Sequence, residues 1–361
     1  MTPERAPASG DSPPPAGEAP SKNRSLKWPV VGLIVAIAVV LFAAGSGNGS
    51  LFGRDDESPS ETTAPITEPP QQQEIVLPPL GVYRGSAPEE VAAFEQWLGR
   101  PVPYVLEFWG RDSSWAKIDD PSWLVNLWSD SGRSVVYSIA MLPSDRYSLE
   151  NGAAGEYDEH WRKFAQAFVA GGEGDAILRL GWEFNGRFYP WAAGGNEEVF
   201  AEYWRRIVDV LRSVPGTTFR FDWCPLAGNT GADVERAYPG DDYVDFIGLD
   251  AYDNSPVSSS PEERWADVRD RRYGLEWHRQ FAADRNKPMT FPEWGLTVRA
   301  QDNLGGGDNA YYIEQMHRWL GTNDVAYAMY FEFSAQDAEH RLMTGDLQEG
   351  ANTFLRLFGR G

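Results

Sequence analysis

Two short stretches set an acid among aromatic residues at the end of what reads as a strand. One is "LRLGWEFNGRFYPW" (178–191), carrying Glu183; the other is "FPEWG" (291–295), carrying Glu293. Aromatic faces receive the C–H groups of a sugar ring while carboxylates accept from its hydroxyls, so the composition suits a glycan ligand. One carboxylic acid to protonate a leaving oxygen and a second carboxylate to attack, or to activate water, suffice to cleave a glycosidic bond. Four more acids end strand-like runs: Glu107, Asp222, Asp250 and Glu332. Around these ends stand Trp109, Trp182, Trp191, Trp223, Tyr252 and Trp294. Position alone does not choose two reacting groups from six. The competing reading of Glu183 is a structural acid paired with Arg179 or Arg187. Glu107, Asp222 and Glu332 fit structural acids or sugar contacts better than reacting groups. Trp161, Trp204 and Trp319 fall on helical patterns and read as packing.

The elements that must deliver these residues repeat with a simple rhythm. Short β-branched or aromatic runs at 80–85, 102–110, 134–143, 176–184, 218–225, 245–253, 288–295 and 325–334 predict eight strands. Between them lie helical patterns such as "PEEVAAFEQWL", "DEHWRKFAQAFVA", "NEEVFAEYWRRIVDVLRSV", "RYGLEWHRQFAADR" and "NAYYIEQMHRWLG", several with acids in the first turn and bases in the last. Strand then helix, eight times, predicts an α/β fold, a (β/α)8 TIM barrel, whose active-site face is the C-terminal end of its strands. A doubly wound open sheet fits less well, because "RGSAPEE" and not a Gly-rich phosphate turn follows the first strand.

On these residues the chain resembles glycoside hydrolase family 26, mainly β-mannanases with β-1,3-1,4-glucanases and β-1,3-xylanases among them. "WEFNGRFYPW" and "FPEWG" look like the family's acid/base and nucleophile segments, and "GLDAYD" and "GVYRG" extend the likeness over about 80–358. The resemblance implies Glu183 as general acid/base and Glu293 as nucleophile in a retaining double displacement. It further implies Asn185 and Gly186 as the tail of the acid/base motif and Phe188 as an aromatic sugar contact. Tyr252 would hydrogen-bond the nucleophile, and Asp250 would support that loop or bind a hydroxyl. Mannanases of the family typically carry His before the acid/base Glu, where this chain has Trp182. They also often place Trp in the last strand, here "YFEFS". The expected substrate is therefore a β-linked polysaccharide of mannan or mixed-linkage glucan type.

Composition bounds the partners. A net charge of −21 argues against a nucleic-acid partner. A single cysteine, Cys224, and four scattered histidines give neither a disulfide scaffold nor a zinc site; no cofactor or metal is expected, with oxygen-ligated calcium left open. Cys224 reads as a small buried hydrophobe. Residues 1–27 are polar and Pro-rich and predict a disordered tail. The run "WPVVGLIVAIAVVLFAAG" (28–45) is long enough to span a bilayer, with Lys22, Arg24 and Lys27 before it. It predicts one membrane helix with the N-terminus cytoplasmic and the bulk outside; a cleaved signal, leaving a secreted domain, is the alternative. Residues 46–76 read as a flexible linker, and 77–361 as the barrel. No protein partner is inferable from the sequence.

Overall fold

The computed structural model describes residues 75–360, apart from 257, 258, 300, 303 and 344. The expected tail, membrane helix and linker lie outside the described residues except for Ile75 and Val76. Among the described residues no helix is long and apolar enough to cross a membrane.

The strands are β1 (Leu80–Tyr83), β2 (Tyr104–Trp109), β3 (Ser134–Ile139), β4 (Ile177–Leu180), β5 (Arg220–Trp223), β6 (Phe246–Gly248), β7 (Ala251–Tyr252), β8 (Met289–Gly295) and β9 (Val325–Phe331). All pair in parallel, and the β6–β8 pairing closes the ring. β6 and β7 are two pieces of one barrel position, so nine segments make the eight-stranded TIM barrel. Every predicted strand is present. The fourth is shorter than its apolar run, ending at Leu180 and leaving Glu183 beyond it.

Five expected helices are present, for example Pro88–Leu98, which starts on a proline with Glu89 and Glu90 in its first turn and stops at left-handed Gly99. Trp115–Asp119, Ser122–Trp128, Leu149–Ala153, Pro261–Asp270 and Gln348–Phe358 are additional. The first two are short because Pro121 interrupts one helical stretch. Pro261–Asp270 has little apolar period and is started by a capping box between Ser260 and Glu263.

Alternation along each strand sorts side chains into two layers. Leu106, Val136, Ile177, Phe246, Tyr327 and Met329 fill the barrel interior, while their strand neighbours join the larger core under the helices. Gly81 faces inward, where a Cβ would overlap Met329 and Tyr104. One strand breaks the alternation. Thr290 faces in and Phe291 out, but the register with β9 slips between Phe291 and Trp294. The extra residue is Pro292, which a bulge tolerates. Under strict alternation through Pro292, Glu293 would share the outward face of Phe291; because the bulge absorbs one residue, Glu293 points into the barrel mouth and Trp294 into the helix layer.

Candidate active site

The barrel mouth opens into a cleft bordered by Glu183, Glu293, Tyr83, Trp109, Trp182, Phe188, Tyr189, Tyr252 and His340. Two left-handed residues deliver its first acid: Gly181 at φ 50° and Glu183 at φ 51°. A non-glycine residue in that region is strained and is held by its surroundings. Here Glu183 N donates to Cys224 O at 2.9 Å, and Gly186 N closes a turn onto Glu183 O at 2.8 Å. The kink turns both Trp182 and Glu183 toward the cleft.

The second acid is held from below and from the side. Arg179, inward-facing and wholly buried on β4, donates to Glu293 Oε1 at 2.7 Å and to Ser138 Oγ at 3.0 Å. Its other nitrogen pairs with Asp250. Tyr252 Oη donates to Glu293 Oε2 at 2.7 Å. Both oxygens of Glu293 thus accept hydrogen bonds, one of them charge-assisted. One oxygen from each of Glu183, Asp250 and Glu293 falls within 4.8 Å of the others.

Glu183 is in the opposite electrostatic situation. Burial in the cleft wall, then the nearby charge of Glu293, raise its pKa to about 8; Arg179 and a hydrogen bond from Tyr189 oppose the shift. A carboxyl that keeps its proton at neutral pH, beside a second one gripped by a guanidinium and a phenol, suits the division of labour that acid-assisted cleavage of a glycosidic bond requires.

The other sequence-selected residues divide by layer. Trp109, Trp182, Phe188 and Tyr252 border the cleft, Phe188 at 61% exposure. Trp191, Trp223 and Trp294, expected to touch substrate, are instead fully buried and present no face to a ligand. Trp191 donates to Trp182 O at 2.9 Å, Trp223 packs on Phe184 and Phe281, and Trp294 on Tyr330 and Phe358. Asn185 is buried and holds Leu226, donating to its carbonyl and accepting from its N–H, both at 2.8 Å. Asp250 is buried behind Glu293 as the partner of Arg179, so it serves the cleft without bordering it.

Glu107, Asp222 and Glu332 are each spoken for. Glu107 faces the helix layer, accepting from Trp128 Nε1 at 2.8 Å and Ser86 Oγ at 2.6 Å. Asp222 takes Thr290 and Tyr327 inside the barrel. Glu332 accepts from Leu342 N at 2.7 Å and Met343 N at 2.9 Å.

Sequence reasoning passed over Tyr189 and His340. Tyr189 had a signal, standing beside Phe188 in the same aromatic stretch. Its hydroxyl accepts from Trp182 Nε1 at 2.9 Å and bonds Glu183, so Trp182 acts on the acid through one phenol. His340 had none, since a loop brings it to the cleft.

A family model described as "Glycosyl hydrolase family 26" matches residues 173–268, the stretch carrying Glu183, Asn185 and Asp250. Endoglucanase H of Acetivibrio thermocellus is 28% identical over 266 residues, covering 70% of this chain and 27% of that protein. The chain thus spans about a quarter of the length of that relative. Among solved structures, a modular endo-β-1,4-mannanase from Cellulomonas fimi superposes with TM-score 0.58 at 17% identity, over 78% of this chain and 70% of the other. A β-mannanase from Bacteroides ovatus gives TM-score 0.55 at 13% identity, over 78% and 88%. These structures share the fold; the matched segment and the similarity to endoglucanase H support glycosyl hydrolase family 26.

Proposed function

We propose that the barrel is a retaining endo-glycosidase acting on a β-linked polysaccharide of mannan or mixed-linkage glucan type. Glu183 is its general acid/base and Glu293 its nucleophile. The observation that carries this reading is the contrasting surroundings of two carboxyls within 4.8 Å at nearest oxygens, one with its pKa raised to about 8 and the other bound by Arg179 and Tyr252. Such closeness favours retention, because inversion needs carboxyls roughly 6.5–9.5 Å apart to admit a water between them. Phe188, Trp109, Trp182 and Tyr252 would line the sugar-binding surface.

The run 28–45 with its preceding Lys22, Arg24 and Lys27 supports a membrane tether with the barrel outside. Recovery of the full chain in the soluble fraction after cell breakage would count against the tether.

Reducing-end assays of the full chain on mannans, mixed-linkage glucans, xylans and envelope polysaccharides test the activity. Glu183→Gln and Glu293→Gln should each lower turnover by about 10² to 10⁴-fold with the fold intact. Product anomers followed by NMR should show retention, and inversion would overturn the mechanism. Binding without hydrolysis across the panel would instead identify a glycan-binding protein.

A further inference from the structure

His340 borders the cleft on the loop after β9 and is 6% exposed. Its Nδ1 lies 2.7 Å from Leu296 O. A carbonyl can only accept, so Nδ1 carries the proton. Burial lowers the pKa of the ring, against weaker opposing charges from Asp337, Glu293 and Glu339, and keeps it neutral. Nε2 is then a bare acceptor. It has no hydrogen-bond partner among the described residues, and the ring lines the cleft.

The ring is placed firmly. It packs 4.8 Å from the Tyr252 ring, whose hydroxyl holds Glu293, and 5.3 Å edge-on to Phe331. Its carbonyl accepts from Tyr330 Oη at 3.0 Å, and Glu332 pins Leu342 and Met343 of the same loop through their amides. A polar nitrogen fixed in an aromatic wall, facing a ligand space, costs free energy until something donates to it.

We infer that His340 is a specificity-determining residue, accepting a hydrogen bond through Nε2 from a free hydroxyl of the sugar bound beside Glu293. The inference rests on the glycosidase reading. An acceptor without a proton pairs with a hydroxyl and not with an ester or ether oxygen at the same place. The preferred glycan is therefore unsubstituted at that hydroxyl, and O-acylation or O-methylation there is rejected.

Two substitutions separate recognition from architecture. His340→Asn keeps a donor for Leu296 O and leaves nothing where Nε2 lies; His340→Gln restores an oxygen near that point. The probes are mixed-linkage β-glucan and β-1,4-mannan oligosaccharides. On the one that the wild type cleaves, His340→Asn should lose about 3- to 10-fold in kcat/KM, the size of one neutral hydrogen bond. His340→Gln should recover most of that loss. Partial O-methylation of the same oligosaccharide should slow the wild type more than His340→Asn. Wild-type rates in His340→Asn, equal losses in Asn and Gln, or equal sensitivity to O-methylation would each overturn the inference while leaving the glycosidase reading intact. A wild type inactive on both probes would sink that reading and this inference together.

Discussion

Arg179 Nη1 donates to Glu293 Oε1 at 2.7 Å from a side chain wholly buried in the barrel mouth. The same guanidinium carries Asp250, so a single cation compensates two acids withdrawn from water. Arg179→Met leaves both carboxylates without a counter-charge. Breaking a buried pair from one side costs about 3–5 kcal/mol, and chemical denaturation at neutral pH should show a loss of that order. Arg179→Lys keeps the charge without the fork and should fall between. An unchanged unfolding midpoint in Arg179→Met would mean that the acids are not buried as charges.

On the proposed assignment, Glu183 should set the alkaline limit of activity. With its pKa raised to about 8, the proton-donating form dominates below that pH and is lost above it, so kcat/KM should decline through about pH 8. Tyr189→Phe removes a hydrogen bond that favours the charged form; the alkaline limb should then move to higher pH. Stability follows with the same sign. Between an ordinary glutamate pKa of 4.5 and about 8 the folded state holds a proton that the unfolded state has released. Glu183 therefore lowers stability as pH rises through that window. Unfolding free energies at pH 5 and pH 8 should differ less in Glu183→Gln than in the wild type.

The bulge at Pro292 decides which way Glu293 points. Inserting one alanine after Pro292 adds a residue that the bulge does not absorb, sends Glu293 toward the helices and drives Trp294 into the barrel mouth. Activity should fall to the level of Glu293→Gln, with a clear drop in melting temperature. Pro292→Ala keeps the residue count and should stay close to wild type in activity. Comparable losses in both variants would show that proline itself, and not the extra residue, sets the geometry.

Phe188 and Trp191, three residues apart, should respond oppositely to truncation. Phe188 is 61% exposed in the cleft and Trp191 is 0% exposed beneath it. Phe188→Ala should raise KM about 3- to 10-fold with little change in stability, the scale of one aromatic contact. Trp191→Ala should cost about 3–5 kcal/mol of folding stability. An unchanged KM in Phe188→Ala would remove Phe188 from the sugar-binding surface.

Strand positions were legible because parallel barrel strands are buried on both faces and read as compact apolar runs. Glu183 and Glu293 stood out through their aromatic surroundings. Choosing among strand-end acids failed where side-chain direction mattered. Glu107 follows Leu106, an interior residue, so period two alone puts it under the helices. Trp223 could have been removed by the same parity, lying beside inward Asp222. Trp294 could not, since its face depends on a bulge that appears only when β8 is laid against β9. His340 was invisible for a different reason: Leu296, which fixes its ring, lies 44 positions away in the chain.

Glu332 grips the loop after β9 through two main-chain amides, those of Leu342 and Met343. Every residue but proline offers that amide, so the anchor does not depend on the side chains the loop carries. The course of the loop and its chemical message are thus stored in different places. Residues along it can be exchanged to read another sugar while the path stays where it is, and Glu332, far from decorating the rim, is what keeps such exchanges harmless to the fold.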